Sequence, residues 1–280
     1  MVVGETLRSA GSTAIEAAIQ RLRQPLYSGY YRLVELNHDK RLYAPKKSVP
    51  GGSFRSYELI HRHGRDELLA ALLEAIDTGD VVYDVGANTG VYSLAVAASE
   101  PTATVIGFEP NPVVAEQFRA NVERNEFEDR ITVRTEGLGQ DCGTMTFYRS
   151  SYDELGSFDR DHASSWEASV VDTVRASVRT IDSLVETERL PPPDHLKIDV
   201  EGFAPEVLAG AQSVLAAERP MLYVEPHGHA DPEIVERCRA AIEDANYGLT
   251  AVDEGWVCSP RTDGHSDGAA DRATGNRSSR

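Results

Sequence analysis

A chain of 280 residues can bury one full core and carry a small appendage beside it. Its formal net charge of -17 is unevenly placed: residues 1–66 carry 11 Lys+Arg against 6 Asp+Glu, and the remainder 17 against 39. A body this acidic repels polyanions, which argues against general nucleic-acid binding.

Residues 5–22 place Leu7, Ala10, Ala14, Ile15, Ala18, Ile19 and Leu22 at helical spacing, and Pro25 ends the run. Two short strand-like runs between Tyr30 and Tyr43 flank Asn37-His38-Asp39-Lys40, which predicts a hairpin, and a turn follows at Pro50-Gly51-Gly52. Residues 1–66 therefore read as an N-terminal appendage of helix and β-hairpin. Leu68, Leu69, Leu72, Leu73 and Ile76 form the apolar face of a helix that stops before Gly79.

From Val81 onward strand and helix alternate. Strands are expected at 81–85, 104–109, 131–135, 195–199 and 220–225, and helices at 90–98, 112–125, 205–217 and 232–245. Asn111-Pro112 and Asp231-Pro232 each supply a cap residue followed by proline at the first helical position. Apolar strands alternating with helices predict an α/β fold, with a mostly parallel sheet covered by helices on both faces. Residues 249–258 alternate around Glu254-Gly255 and predict an antiparallel closing hairpin, so this domain spans 67–258. Inside it, the polar stretch 143–178, with β-like pieces at Met145–Tyr148 and Val170–Val174, reads as an insertion or lid. Residues 259–280 have almost nothing to bury and are expected to be a disordered tail.

Lysine is confined to Lys40, Lys46, Lys47 and Lys197. An acidic, lysine-poor chain suggests a halophilic-type surface, with compositional bias as the alternative. Cys142, Cys238 and Cys258 are scattered and odd in number, which suggests neither a disulfide framework nor a zinc site. The chain shows no basic-then-apolar leader and no apolar run of membrane-spanning length. The expectation is a cytoplasmic protein without a membrane span.

The first strand runs into Gly86-Ala87-Asn88-Thr89-Gly90, with Asp84 just before the turn. This is neither G-x-G-x-x-G nor a phosphate-binding loop, because no Lys-Ser/Thr pair follows it. A carboxylate beside bare backbone repels a pyrophosphate and suits a ligand with a positive amino group. The next strand ends in Glu109, 23 positions beyond Gly86, where an acid can hold both ribose hydroxyls. An amino acid joined to a ribose describes S-adenosylmethionine better than a nicotinamide dinucleotide. The third strand ends in Glu136-Gly137-Leu138, which places Gly137 and Leu138 where an adenine would lie.

The fourth strand tip carries Asp199 and Glu201, two residues apart and so able to share a face. The plain alternative for Glu201 or Glu206 is a favourable charge at a helix N-terminus. The fifth strand ends in Glu225, His227 and His229, and a histidine there is a candidate base because its pKa lies near neutrality. Two histidines beside acids could also bind a metal, but a divalent metal is not expected from the spacing alone.

These residues resemble the FkbM-type S-adenosylmethionine-dependent methyltransferases. The matching stretches are DVGANTGVYSL (84–94), FEPNP (108–112), RTIDSL (179–184), LKIDVEGFAPEVLAGA (196–211) and RPMLYVEPH (219–227), in the family's order. The resemblance implies a class I methyltransferase (Rossmann-like) fold with a seven-stranded sheet. It also implies O-methylation, often of sugar or polyketide hydroxyls. It places Asp84, Gly86, Asn88, Gly90 and Glu109 around the cofactor, and Asp199 and Glu201 near the reaction centre. Ala204-Pro205 departs from the family, which usually has an acid before this helix. Residues 1–66 and 143–178 match nothing in it and are expected to shape the acceptor pocket.

The expected reaction is therefore methyl transfer to a hydroxyl of a small molecule or glycan, with Glu201 or His227 as base and Asp199 positioning cofactor and acceptor. Three alternatives stay open. One is methylation of nitrogen or nucleic acid, supported by the basic stretch Arg21–Lys47 but lacking an Asn/Asp-Pro-Pro-Tyr/Phe stretch. The others are a nicotinamide oxidoreductase and a non-catalytic, nucleoside-binding member of the fold. Acceptor identity and oligomeric state are not legible.

Overall fold

The computed structural model describes residues 29–30, 32–60, 66–152, 155–165, 168–228, 231–253 and 255–261. The helix expected at 5–22, most of the tail, and His229 lie outside the described residues.

The body is a seven-stranded sheet made by β3 (Val81–Val85), β4 (Thr104–Phe108), β5 (Ile131–Arg134), β9 (His195–Asp199), β10 (Met221–Glu225), β11 (Tyr247–Ala251) and β12 (Trp256–Pro260). Their spatial order is β11-β12-β10-β9-β3-β4-β5. The pairs β5/β4, β4/β3, β3/β9 and β9/β10 are parallel, whereas β12 runs antiparallel to both β10 and β11. This is the Rossmann-like, mostly parallel sheet that the sequence predicts, with its closing hairpin in place. Strand order reverses between β3 and β9, so a crevice opens at their carboxyl ends.

Alternation along the strands feeds two cores. Tyr83, Val85, Leu196, Ile198, Leu222 and Val224 pack with α7 (Ala204–Ala209), α8 (Gln212–Ala217) and α9 (Pro232–Asp244). Val82, Val105 and Tyr223 pack with α2 (Glu67–Ala75), α3 (Val91–Ser99) and α4 (Pro112–Asn125). Both faces are thus apolar, which is why these strands read as continuous hydrophobic runs. The two expected caps form: Asn111 accepts from the Val113 amide and Asp231 from the Glu233 amide.

Three expectations need correction. Residues 32–40 are helical (α1) rather than a hairpin. The polar tetrad at 37–40 closes that helix, where the Asn37 side chain donates to the Tyr43 and Tyr57 carbonyls. The hairpin comes later, β1 (Lys46–Val49) against β2 (Gly52–Arg55), around Pro50 and Gly51, whose φ of 81° suits the turn. The helix expected at 205–217 is broken into α7 and α8, because a Cβ on Gly210 would lie 2.0 Å from the Gly139 carbonyl oxygen. The domain does not end at 258: Pro260 pairs with Tyr247, and the Arg261 amide donates to the Asn246 carbonyl.

The insertion is built as a sheet, and both of its expected β-like pieces lie in strands. Its strands β7 (Gly143–Ser150) and β8 (Val170–Arg179) pair antiparallel, and β8 also pairs with β6 (Gly137–Leu138). A short helix α5 (Arg160–Ala163) follows the segment 155–159, and α6 (Ile181–Glu186) returns the chain to the main body.

Candidate active site

The carboxyl ends of β3, β4 and β9 converge on one cleft, lined by Gly86, Asn88, Glu109, Pro110, Asp199, Val200 and Glu201. Phe147, Ser157, Phe158 and Phe203 form its other wall, on the insertion side. Phe158 stacks between Phe147 and Phe203 at ring-centroid distances of 5.1 and 5.2 Å.

The glycine turn is built by close approach. A Cβ on Gly86 would lie 1.8 Å from the Asp199 carbonyl oxygen, and its φ of 74° is left-handed. Gly86 and Ala87 both donate backbone N–H to the Phe108 carbonyl at 3.0 Å. Asn88 also holds left-handed backbone, at φ 50°. Glu109 fixes this conformation: its carboxylate accepts from the Asn88 amide at 3.0 Å and the Asn111 amide at 2.8 Å. A rigid carboxylate on the cleft wall, beside bare backbone, fits a ribose and an amino-acid tail.

Asp84 sits elsewhere than the sequence suggests. It is 1% exposed and does not line the cleft. One of its oxygens accepts from the Ser93 hydroxyl at 2.6 Å and the Ser93 amide at 3.2 Å, and the other lies 3.1 Å from the Lys197 ammonium. Direct contact with a ligand amino group is therefore closed in this arrangement. Gly90 is the cap of α3, packed under the Phe118 ring, and Leu138 is a core residue. Gly137 lies beneath the Phe158 ring, where a Cβ would meet it at 2.4 Å.

Lys197 is the residue that sequence reasoning missed. Register places it opposite Asp84 and two residues before Asp199, so all three share one sheet face. Its buried ammonium donates to the Gly86 carbonyl at 2.9 Å, lies 3.3 Å from Asp199 and 5.0 Å from the centre of the Tyr92 ring. Burial alone would lower its pKa, but Asp199 and Asp84 outweigh it and hold the amine protonated. The available signal was a lysine inside an apolar strand of a lysine-poor chain.

The other oxygen of Asp199 meets His227 Nε2 at 2.6 Å. His227 Nδ1 is 3.6 Å from Glu201, and Nε2 is 3.5 Å from Glu225. Burial opposes the imidazolium, yet the Asp199 hydrogen bond and the charges of Asp199, Glu201 and Glu225 raise its pKa to about 9. Burial likewise opposes the Asp199 carboxylate, and Lys197 with His227 holds its pKa well below the usual range. The loop carrying Glu201 is pinned by Ser157, whose hydroxyl donates to the Glu201 carbonyl at 2.7 Å.

The predicted catalytic trio Asp199, Glu201 and His227 is thus one cluster. Asp199, Glu225 and His227 also form the one group among the described residues able to present three metal-ligand atoms within 4.8 Å of one another. A cation there would compete with the Lys197 ammonium and the His227 proton, both already on Asp199. No described helix is long and apolar enough to cross a membrane.

The Methyltransferase FkbM domain matches residues 84–249, from the buried Asp84 to the closing hairpin. The hexuronic acid methyltransferase AglP of Haloferax volcanii is 31% identical over 176 residues, which are 62% of this chain and 67% of that protein. The 31-O-demethyl-FK506 methyltransferase FkbM of Streptomyces tacrolimicus is 30% identical over 156 residues, 48% of this chain but only 60% of its own length. A solved methyltransferase FkbM from Methylobacillus flagellatus aligns at 17% identity with a TM-score of 0.46, over 66% of this chain and 44% of that one. With the domain match covering more than half of its residues, this chain belongs to the FkbM methyltransferase family.

Proposed function

We propose that this protein is an S-adenosylmethionine-dependent O-methyltransferase acting on a sugar-like hydroxyl, in the cytoplasm. The observation that supports this best is the single cleft that sets Asp199, bonded from behind to His227 at 2.6 Å, beside a glycine turn and a rigid Glu109. When bound, the cofactor supplies a methyl group on a positively charged sulfur. The cradle around Gly86, which lacks room for a Cβ, would hold its amino-acid part, and Glu109 its ribose. A sugar acceptor is favoured because the Haloferax relative is named for a hexuronic acid, and a hydroxyl because the Streptomyces relative is named for a 31-O position.

The chain's own residues then have four tasks. The turn and Asp199 hold the reactants in line, and such alignment supplies roughly 7–11 kcal/mol. His227 keeps one proton on Nε2, directed at Asp199, so that Nδ1 is the atom that takes the hydroxyl proton. Glu201, 3.6 Å from Nδ1, orients the ring and the incoming hydroxyl. Lys197 keeps Asp199 ionised, so that the carboxylate stays an acceptor for Nε2.

The test is transfer of a labelled methyl group from S-adenosylmethionine to a panel of uronic acid and hexose glycosides. Label in a product ether supports the reading. Tight binding of S-adenosylhomocysteine with no transfer to any hydroxyl acceptor would favour a non-catalytic role instead.

A further inference from the structure

The family domain begins at residue 84, yet a segment ahead of it reaches the cofactor turn. After β2, residues 55–58 run as a strap along α4. Asn125 grips the Arg55 backbone through both its N–H and its carbonyl, at 2.7 Å each. One turn earlier on α4, Asn121 accepts from the Tyr57 amide at 2.9 Å. The same Asn121 side chain donates to the Thr89 carbonyl at 2.9 Å, so one buried amide joins strap and turn. The strap ends in Glu58, whose carboxylate accepts from the Thr89 hydroxyl. Its second oxygen is 2.9 Å from Lys47, a lysine of β1 that is 2% exposed.

Thr89 is 6% exposed and sits between Asn88 and Gly90, whose left-handed φ values are 50° and 86°. Left-handed backbone at a non-glycine residue costs on the order of 1–3 kcal/mol and persists only when its surroundings over-determine it. Several side chains brace it, the Asn121 bond to the Thr89 carbonyl among them. Glu109 holds the Asn88 amide from inside the family domain, and Glu58 holds the Thr89 side chain from outside it. Lys47 offsets the charge of Glu58 where it is half-buried, and Ser56 adds a hydroxyl that accepts from the Glu58 amide at 3.1 Å.

We infer that the strap at 55–58 is a working part of the cofactor site, with Glu58 as a positioning residue that acts through Thr89 on the turn 86–90. This rests on the reading of that turn as the cofactor cradle. It gives the N-terminal segment, which lies ahead of the matched family domain, a task that its sequence does not disclose.

Titration calorimetry of the full chain with S-adenosylhomocysteine tests it. Glu58→Gln keeps the shape but removes the charge; Thr89→Val keeps the shape but removes the hydroxyl. Each is expected to weaken binding about tenfold or more, while Thr89→Ser, which restores the donor, stays within about threefold of the native chain. In turnover assays the effect falls on the KM for the cofactor more than on kcat. A double variant of Glu58→Ala with Thr89→Val is expected to bind no worse than the weaker of its two single variants, because both changes remove the same contact. A purely structural strap would instead lower the melting midpoint and leave the affinity of the folded protein unchanged. Native-like affinity in Thr89→Val, which decides the matter should Glu58→Gln fail to fold, would overturn the inference and leave the proposed function standing. Additive losses in the double variant would overturn the route through Thr89. If the native chain does not bind S-adenosylhomocysteine, the cofactor reading falls and this inference with it.

Discussion

At the scale of single residues, four charged groups stand in one line: Asp84, Lys197, Asp199 and His227, each within 3.3 Å of the next. Removing a member from inside such a line leaves its neighbours buried without a counter-charge. Lys197→Met is therefore expected to destabilise by about 3–5 kcal/mol, because Asp84 is wholly buried and keeps only Ser93. Urea unfolding measures it, and adding Asp84→Asn should recover part of the loss. A change below about 1 kcal/mol would mean that Lys197 contributes no more than an exposed pair does. His227 carries the pH dependence. Its folded pKa, about 9, lies above the unfolded value of 6.5, so its contribution to stability is complete below 6.5 and is lost as pH rises through 9. Activity moves the opposite way, since Nδ1 accepts a proton only in the neutral ring. The expected kcat profile climbs with pH, is half-maximal near 9 and levels off above it, and His227→Ala should lower kcat by about 10²–10⁴-fold. Asp199→Asn should in addition weaken S-adenosylhomocysteine binding, because Asp199 lines the cleft and shares Lys197 with the turn. Equal cofactor affinity in the two variants would refute that division of labour.

At the scale of elements, the strands were legible because their residues have no choice of face. Val81–Val85 and Met221–Glu225 are covered on both sides, so each reads as a largely apolar run, and caps such as Asn111-Pro112 mark where helices begin. The hairpin expected at 30–43 failed because the turn-forming tetrad at 37–40 closes a helix as readily as it joins two strands. The break between α7 and α8 depends on the Gly139 carbonyl, 71 positions earlier in the chain than Gly210, which local spacing cannot register. The same limit hid the site's wiring. Asp84 read as a cleft residue because it precedes the turn, and only the pairing with Lys197 and Ser93 shows that it faces α3 instead. Close approach yields a prediction of its own. Gly86→Ala would set a methyl group 1.8 Å from the Asp199 carbonyl oxygen, at a φ of 74° that alanine resists. The strand end must shift, so binding of S-adenosylhomocysteine should fall at least about a hundredfold even where circular dichroism shows a folded chain. Gly143→Ala is the control, since a Cβ there meets nothing within 4 Å. Retained affinity in Gly86→Ala would show that turn and strand tip move independently.

At the scale of the molecule, charge sets the terms. A net charge of -17 on 280 residues, with 39 acids against 17 bases beyond residue 66, makes the compact state repel itself. Opposing this are ion pairs, of which some in the described region are largely exposed, such as Arg41–Glu123 and Arg119–Glu116. Exposed pairs contribute about 0–1 kcal/mol each and weaken with salt. The stronger contacts, Lys197 with Asp84 and Lys47 with Glu58, have a partner that is at most 3% exposed and are screened far less. Added salt therefore removes much repulsion and little attraction, and the balance favours folding. Raising potassium chloride from about 0.1 to 1 M shortens the screening length from about 10 to 3 Å. The melting midpoint should rise across that range, by several degrees if the gain is about 2 kcal/mol. Sucrose, which strengthens apolar burial without screening charge, separates the two causes. A rise in potassium chloride well above that in sucrose assigns the effect to self-repulsion. A flat response to potassium chloride would show that the acidic residues are spread widely enough for repulsion not to limit stability, and the lysine-poor composition would then reflect sequence bias rather than adaptation to salt.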